Sequence, residues 1–211
     1  MYMMKTLEVV CKGNCGRSPI AELVANNFIR DIGADREFQA ISSGTQVDDI
    51  RNGNYNSGSI KRLIGLYCLL GEEQDCFSKF LNTDNEAERK AYGMEVMNYA
   101  IGREMEERAK LLREFGIQGN VKMTADQTVP RKDIFAIMSV ARDVHKQVLD
   151  IYATSRIKPN AHVISVLSTG NPNAPDSYIA VDGNRNIWTD YKRVTDQMIK
   201  DVRKAVANLV S

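Results

Sequence analysis

Histidine is scarce in this chain, two in 211 residues, and neither His145 nor His162 stands at metal-ligand spacing from a cysteine pair. Both read as structural or surface residues, so no metal and no cofactor is expected. An excess of one charge is also lacking: 28 Lys and Arg against 27 Asp and Glu leave +1, with no basic block. Nucleic acid and an anionic membrane are therefore not expected as partners. No apolar run approaches the length of a membrane span, and the opening Met1-Tyr2-Met3-Met4-Lys5 lacks the apolar stretch of a signal peptide. The expectation is a cytoplasmic protein, the reducing setting a nucleophilic thiol requires. Internal repeats and low-complexity tracts are not apparent. What remains is 43% hydrophobic and 26% charged residues, enough to bury one sizeable core. The expectation is a single domain over 1–211 with a helical insertion at about 49–102.

The chemistry is concentrated in one stretch, Cys11-Lys12-Gly13-Asn14-Cys15-Gly16-Arg17-Ser18-Pro19. A β-prone run (Leu7, Val9, Val10) leads into it and a helical run (Ile20, Ala21, Leu23, Val24, Phe28) follows. The loop therefore joins the C-terminal end of a strand to a helix N-terminus, where backbone N–H groups converge on an anion. Those amides and a nearby guanidinium favour the thiolate of Cys11, the attacking form. Arg17 offers a planar fork of donors that matches two oxygens of a phosphoryl group. Gly13 and Gly16 let the chain approach a ligand without a Cβ in the way. Asn14 tolerates left-handed backbone and can brace the loop through its amide. Ser18 can donate its hydroxyl to the thiolate, and Pro19 suits a first helical turn, where no N–H is needed.

Short apolar runs at 6–10, 37–42, 133–138 and 162–167 read as strands covered on both faces. Amphipathic helices lie between them. In the last helix Tyr191, Val194, Met198, Val202, Ala205 and Leu209 share a face, with Thr189 or Asp190 as N-cap. The alternation predicts an α/β fold: a doubly wound four-stranded parallel sheet flanked by helices on both faces, with an inserted helical segment after the second strand. Ligands of such sheets bind beyond the carboxyl ends of the strands, where the Cys11 loop falls. The insertion opens with a turn-rich linker at 48–58, then carries helical spacing at Ile60, Leu63, Ile64, Tyr67 and Leu70. A longer seam follows at Ala87, Ala91, Met94, Met97, Ile101, Met105, Leu112 and Phe115. Packing against the domain's own flank is expected of it, with a homodimer contact or a lid over the cleft as alternatives.

The string Cys11-x-Gly13-Asn14-x-x-Arg17-Ser18-Pro19-Ile20-Ala21-Glu22 resembles the signature of the low-molecular-weight protein tyrosine phosphatases. Ser42-Ser43-Gly44-Thr45 is similar to that family's Ser-Ala-Gly-Thr, 133–138 to its third strand, and Pro175-Asp176-Ser177-Tyr178 to its general-acid loop. The resemblance implies hydrolysis of a phosphomonoester in two steps. Cys11 attacks phosphorus, Arg17 and the loop from Lys12 through Gly13, Asn14, Cys15 and Gly16 to Ser18 hold the phosphoryl oxygens, and Asp176 serves as acid and then base. Asn14, Ser18 and Ser42 would support the loop, and Tyr178 would stand at the substrate rim. The implied substrate is a phosphotyrosine-bearing protein or a small aryl phosphate.

Departures keep other readings open. Many members carry a second cysteine immediately before the arginine, whereas here Gly16 takes that place and Cys15 lies one position earlier. Ser177 stands where proline is usual, and Lys12 where an apolar residue is common. Cys68 and Cys76 supply the further thiols a thiol-dependent arsenate reductase of this fold would need. Cys68 itself, among Leu66, Leu69 and Leu70, reads as a buried apolar thiol. A phosphoryl carrier or phospho-binding module is the non-enzymatic alternative, and the presence of Asp176 argues against it.

Overall fold

A computed structural model of the chain describes residues 4–122, 126–176 and 187–210, with side chains of 187–191 excluded. The chain divides into two compact units, one of 1–47 with 107–211 and the other of 48–106.

The first unit holds a parallel sheet of β1 (Lys5–Cys11), β2 (Phe38–Gly44), β3 (Ile134–Ser139) and β4 (Ala161–Val163), in the order β2-β1-β3-β4. Leu7, Val9 and Val10 of the central strand are fully buried, as a strand covered on both faces requires. The helix α1 (Arg17–Asp31) leads from β1 to β2, and the chain then returns to the other side of β1 to form β3. This reversal puts the switch point of the sheet at the carboxyl end of β1, the crevice where open α/β sheets take their ligands. Cys11 is the last residue of β1 and pairs in register with Gly44 of β2.

The short helix α2 (Val47–Arg51) follows β2, inside the stretch expected as a turn-rich linker, which is a correction of that reading. Its first turn carries Asp48 and Asp49 and its last Arg51, charges that favour a helix over a coil. The second unit contains α3 (Ser57–Leu69), α4 (Asp75–Asn82) and most of α5 (Glu86–Glu114). It has its own core of Ile60, Ile64, Tyr67, Phe77, Phe80, Val96 and Ala100. Tyr99 meets the rings of Tyr67 and Phe77 edge-on, both at 5.5 Å between centroids. The Asn56 side chain caps α3 by accepting from the Gly58 amide at 2.8 Å.

Three expectations for this region are corrected. The apolar seam of α5 is rotated: Val96 and Ala100 are buried while Ala87 and Ala91 are exposed. Tyr92, Tyr99 and the glycine at 93, against which Tyr55 lies, draw that face inward. Helix α4 was not anticipated, because only Phe77 and Phe80 mark its buried side. Cys68 is exposed, since the buried stripe of α3 runs through Ile60, Ile64 and Tyr67 and leaves the next position outside.

In the first unit, α6 (Arg142–Ala153) buries Val144, Val148 and Tyr152, one residue per helical turn. The run at 162–167, expected as a strand, is a strand only through Val163; α7 (Ile164–Thr169) replaces the rest. Ser168 Oγ donates to Asp201 Oδ1 at 2.9 Å and Asn208 Nδ2 to the Leu167 carbonyl at 2.7 Å, so α8 (Ile187–Val210) holds α7 in place. A short apolar run of this length has no period that separates strand from helix. Helix α8 buries Val194, Met198, Val202 and Ala205 as expected, but begins ahead of both cap candidates, at Ile187. Among the described residues, no helix is long and apolar enough to cross a membrane.

Candidate active site

The site grows from the end of β1. The amides of Thr45 and Gln46 donate to the carbonyls of Cys11 and Lys12 at 3.0 and 2.8 Å. No peptide bond here is cis, so the N–H groups of Lys12 and Gly13 point to the opposite side, away from β2. This is how a short loop turns its donors to one side. Gly44 makes the approach of the two segments feasible: a Cβ there would lie 2.6 Å from both the Asn14 nitrogen and the Lys12 carbonyl oxygen.

Asn14 has φ +47, the left-handed region that asparagine tolerates, and is fully buried. Its Nδ2 donates to the Ser42 carbonyl at 3.3 Å, the support expected near Ser42, made through the main chain. Ser18, at the second position of α1, has its Oγ 2.9 Å from Cys11 Sγ, 2.9 Å from Asn14 Oδ1 and 3.2 Å from the Ser43 carbonyl. A hydroxyl has one proton, so these three acceptors share it. An anionic sulfur takes the proton most strongly; as a thiol, Cys11 can donate to Ser18, which then turns to Asn14 or Ser43. Cys11 is 3% exposed, and both it and Cys15 are thiols. Arg17 opens α1 directly after Gly16.

Across the loop, Lys12 Nζ is 2.6 Å from Asp143 Oδ2 in the first turn of α6. Burial pushes the Asp143 carboxyl up, but the Lys12 ammonium, the Val144 amide and the Arg17 guanidinium together hold it below its ordinary value. Arg17 thus faces the same carboxylate as Lys12. The neighbouring residue, Arg142, reaches Asp176: its backbone N–H donates to Oδ2 at 3.2 Å, and Nε lies 3.7 Å from Oδ1. The guanidinium also donates to the Ala174 carbonyl. Ala141 has no side-chain capping bond, so Asp176 caps α6 from a distant part of the chain.

Cys11, Asn14 and Ser18 are thus in direct contact, Lys12 and Arg17 converge on Asp143, and Asp176 sits on the same helical turn. Tyr178 lies outside the described residues. Among the described residues, no group of three or more His, Cys, Asp and Glu could hold a metal ion. Sequence reasoning did not find Arg142 and Asp143. The signal was their place, just past the carboxyl end of a strand next to β1, where side chains reach a ligand in such sheets.

The sequence model of the family described as Low molecular weight phosphotyrosine protein phosphatase matches residues 6–58. No curated protein sequence matches this chain. Among solved structures, a protein tyrosine phosphatase from Entamoeba histolytica is 16% identical, over 98% of this chain and 93% of its own, with a TM-score of 0.54. A low molecular weight protein tyrosine phosphatase from T. tengcongensis is 14% identical, covering 96% and 98%, at 0.53. The arginine phosphatase YwlE, also solved as a Bacillus subtilis protein, in a mutant with a phosphorylated active-site serine is 12% identical, covering 97% and 95%, at 0.54. At these identities the structural likeness shows the fold. The family match is confined to residues 6–58, the stretch that carries the cysteine loop.

Proposed function

We propose that the chain is a cysteine-dependent protein tyrosine phosphatase acting through a phosphocysteine. The observation that carries this reading is the Ser18 hydroxyl 2.9 Å from the sulfur of Cys11, beneath a loop whose carbonyls are tied to β2. Cys11 Sγ attacks phosphorus in line and the ester P–O bond breaks, while Asp176 gives its proton to the departing oxygen. Water then attacks the phosphocysteine and gives its proton to Asp176; the S–P bond breaks, releasing phosphate and the thiolate. Arg17 and the loop amides hold the equatorial oxygens, where positioning and electrostatics supply most of the rate in phosphoryl transfer. In support, Asp176 stands beside Arg142, on the helical turn whose Asp143 pairs with Lys12 of the loop.

The test is a substrate panel of p-nitrophenyl phosphate, phosphotyrosine peptides and phosphoarginine, with arsenate and a thiol donor alongside. Hydrolysis of the aryl esters, lost in Cys11→Ser with oxyanion binding kept, is the expected result. Arg17→Lys weakens both binding and rate, and Asp176→Asn slows alkyl phosphates more than activated aryl esters. Retained hydrolysis in Cys11→Ser would reject the nucleophile. Turnover of phosphoarginine alone would move the substrate to that of YwlE, and arsenate reduction without ester hydrolysis would replace the reaction.

A further inference from the structure

Glu8 is a carboxyl in the middle of an otherwise apolar central strand, three residues before Cys11 and 2% exposed. Its Oε1 accepts from Ser43 Oγ at 2.6 Å, and Ser43 Oγ is 2.8 Å from Thr128 Oγ1. The main-chain carbonyl of the same Ser43 is one of the three acceptors of the Ser18 hydroxyl, which reaches Cys11. Glu8 is thus bonded to Ser43, whose carbonyl competes with the Cys11 sulfur for the single Ser18 proton. The other carboxyl oxygen, Oε2, is buried without a hydrogen-bond partner among the described residues. Glu8 lines a cavity of about 310 Å³ together with Glu22, Ser42, Ser43, Asp126 and Arg131.

A buried carboxyl with half its acceptors unmet has no structural reason to replace a leucine or valine in this strand. What it adds is a charge that comes and goes. We propose that Glu8 is a positioning residue that sets the pH range over which the Cys11 loop holds an oxyanion, by placing a removable negative charge behind the loop. Neutral, it leaves the potential of the amides and Arg17 undiminished. Ionised, it fixes Ser43 as donor toward itself and opposes any anion in the loop. Three strand residues span about 10 Å, and at that separation, with an effective dielectric constant near 20, unit charges alter an equilibrium by about tenfold or somewhat more.

The groups around Glu8 act on its titration in both directions. Burial pushes its carboxyl up; Ser43 and the Arg131 guanidinium pull it down, and Asp133 pushes it up again. Glu22 on α1, Asp126 before β3 and Tyr152 on α6 are the other ionisable groups near it. Glu22 is also pushed up by burial, so its own variant is needed as a control.

The proposal rests on the oxyanion-loop reading above. Sulfate is the probe, since its charge is constant between pH 5 and 8, and its affinity is measured by calorimetry in wild type, Glu8→Gln, Glu8→Asp and Glu22→Gln. Expected is a loss of affinity with rising pH in wild type that exceeds that in Glu8→Gln by about a hundredfold, because sulfate carries two charges, and that is retained in Glu8→Asp and in Glu22→Gln. Parallel wild-type and Glu8→Gln curves would overturn it, as would the absence of sulfate binding at every pH. A second measurement needs no variant: by linkage, saturating sulfate must raise the proton affinity of Glu8, read from its carboxyl carbon by NMR, by the same factor, and an unmoved titration overturns the proposal. Aryl phosphate hydrolysis with parallel sulfate curves would remove the role of Glu8 and leave the phosphatase; divergent curves without hydrolysis would do the reverse.

Discussion

Replacing Gly44 by alanine tests whether the end of β2 holds the cysteine loop. Gly44 needs no unusual φ, so the effect is steric rather than conformational. The added Cβ would lie 2.6 Å from the Asn14 nitrogen, 2.6 Å from the Lys12 carbonyl oxygen and 2.8 Å from Val47 Cγ2. Two of these are main-chain atoms that cannot rotate away, and the Lys12 carbonyl is pinned by Gln46 at 2.8 Å. Relief therefore requires the loop to move by several tenths of an ångström. Overpacking of this kind costs about 1–3 kcal/mol, which for a chain of this size lowers Tm by about 2–10 °C. A displacement approaching 1 Å in a group that positions substrate costs about a hundredfold in rate. Gly44→Ala should therefore remain folded while kcat/KM for p-nitrophenyl phosphate falls by about tenfold and at most a hundredfold, and sulfate binding weakens. Gly65 is the matched control. It is exposed in α3 with nothing within 4 Å of a built Cβ, so Gly65→Ala should stabilise by about 0.5–1 kcal/mol and leave kcat/KM alone. The measurements are steady-state kinetics and thermal melts on both variants. Wild-type kinetics and sulfate affinity in Gly44→Ala would show that the contact between β2 and the loop does not shape the site.

Ser18→Ala removes the donor to Cys11 Sγ; hydrogen bonds to charged groups contribute about 1.5–3 kcal/mol, so kcat should fall by roughly ten- to a hundredfold, and sulfate binding should be largely kept. Lys12 and Asp143 form a half-exposed pair, so Asp143→Asn should cost no more than about 1 kcal/mol in a urea melt. Because the folded state holds the Asp143 carboxyl below its ordinary value of 3.8, that contribution is present above this value and is lost as pH falls through the lower folded one; melts in acid should converge for the two proteins. Phe80 is 1% exposed in the core of the helical unit, so Phe80→Ala should destabilise that unit by about 3–5 kcal/mol, with hydrogen exchange faster in α3 and α4.

The loop was legible because each of its residues answers a local demand. Cys11 ends an apolar strand, Asn14 takes the left-handed position, Ser18 and Pro19 open a helix, and none of this depends on distant parts of the chain. The parallel sheet was legible for a similar reason, since β1 to β3 are apolar runs with helices between them. Legibility ended where the deciding partner is remote. Whether 164–167 extends or coils depends on α8, more than twenty residues on, and the buried face of α5 depends on Tyr55 and the rings of α3 and α4. Cys68 was misread because three neighbouring leucines suggested burial, when the stripe through Ile60, Ile64 and Tyr67 had already fixed which side of α3 faces inward.

The same distinction separates the two halves of the candidate site. The Cys11 loop is a continuous segment and could be read as one, whereas the surroundings of Asp176 are assembled by α6. Its first turn carries both partners, Asp143 for Lys12 and Arg142 for Asp176, from adjacent positions that point to different loops. A shift of that turn would disturb the Cys11 loop and Asp176 together, and neither residue belongs to a motif. Ala141 leaves α6 without a side-chain cap of its own, and this opens the end of the helix to a carboxylate from 34 residues further along the chain. An apparent defect in local helix design is thus what gives the loop of Asp176 its docking point on α6, which is why no reading of 141–143 in isolation could have disclosed it.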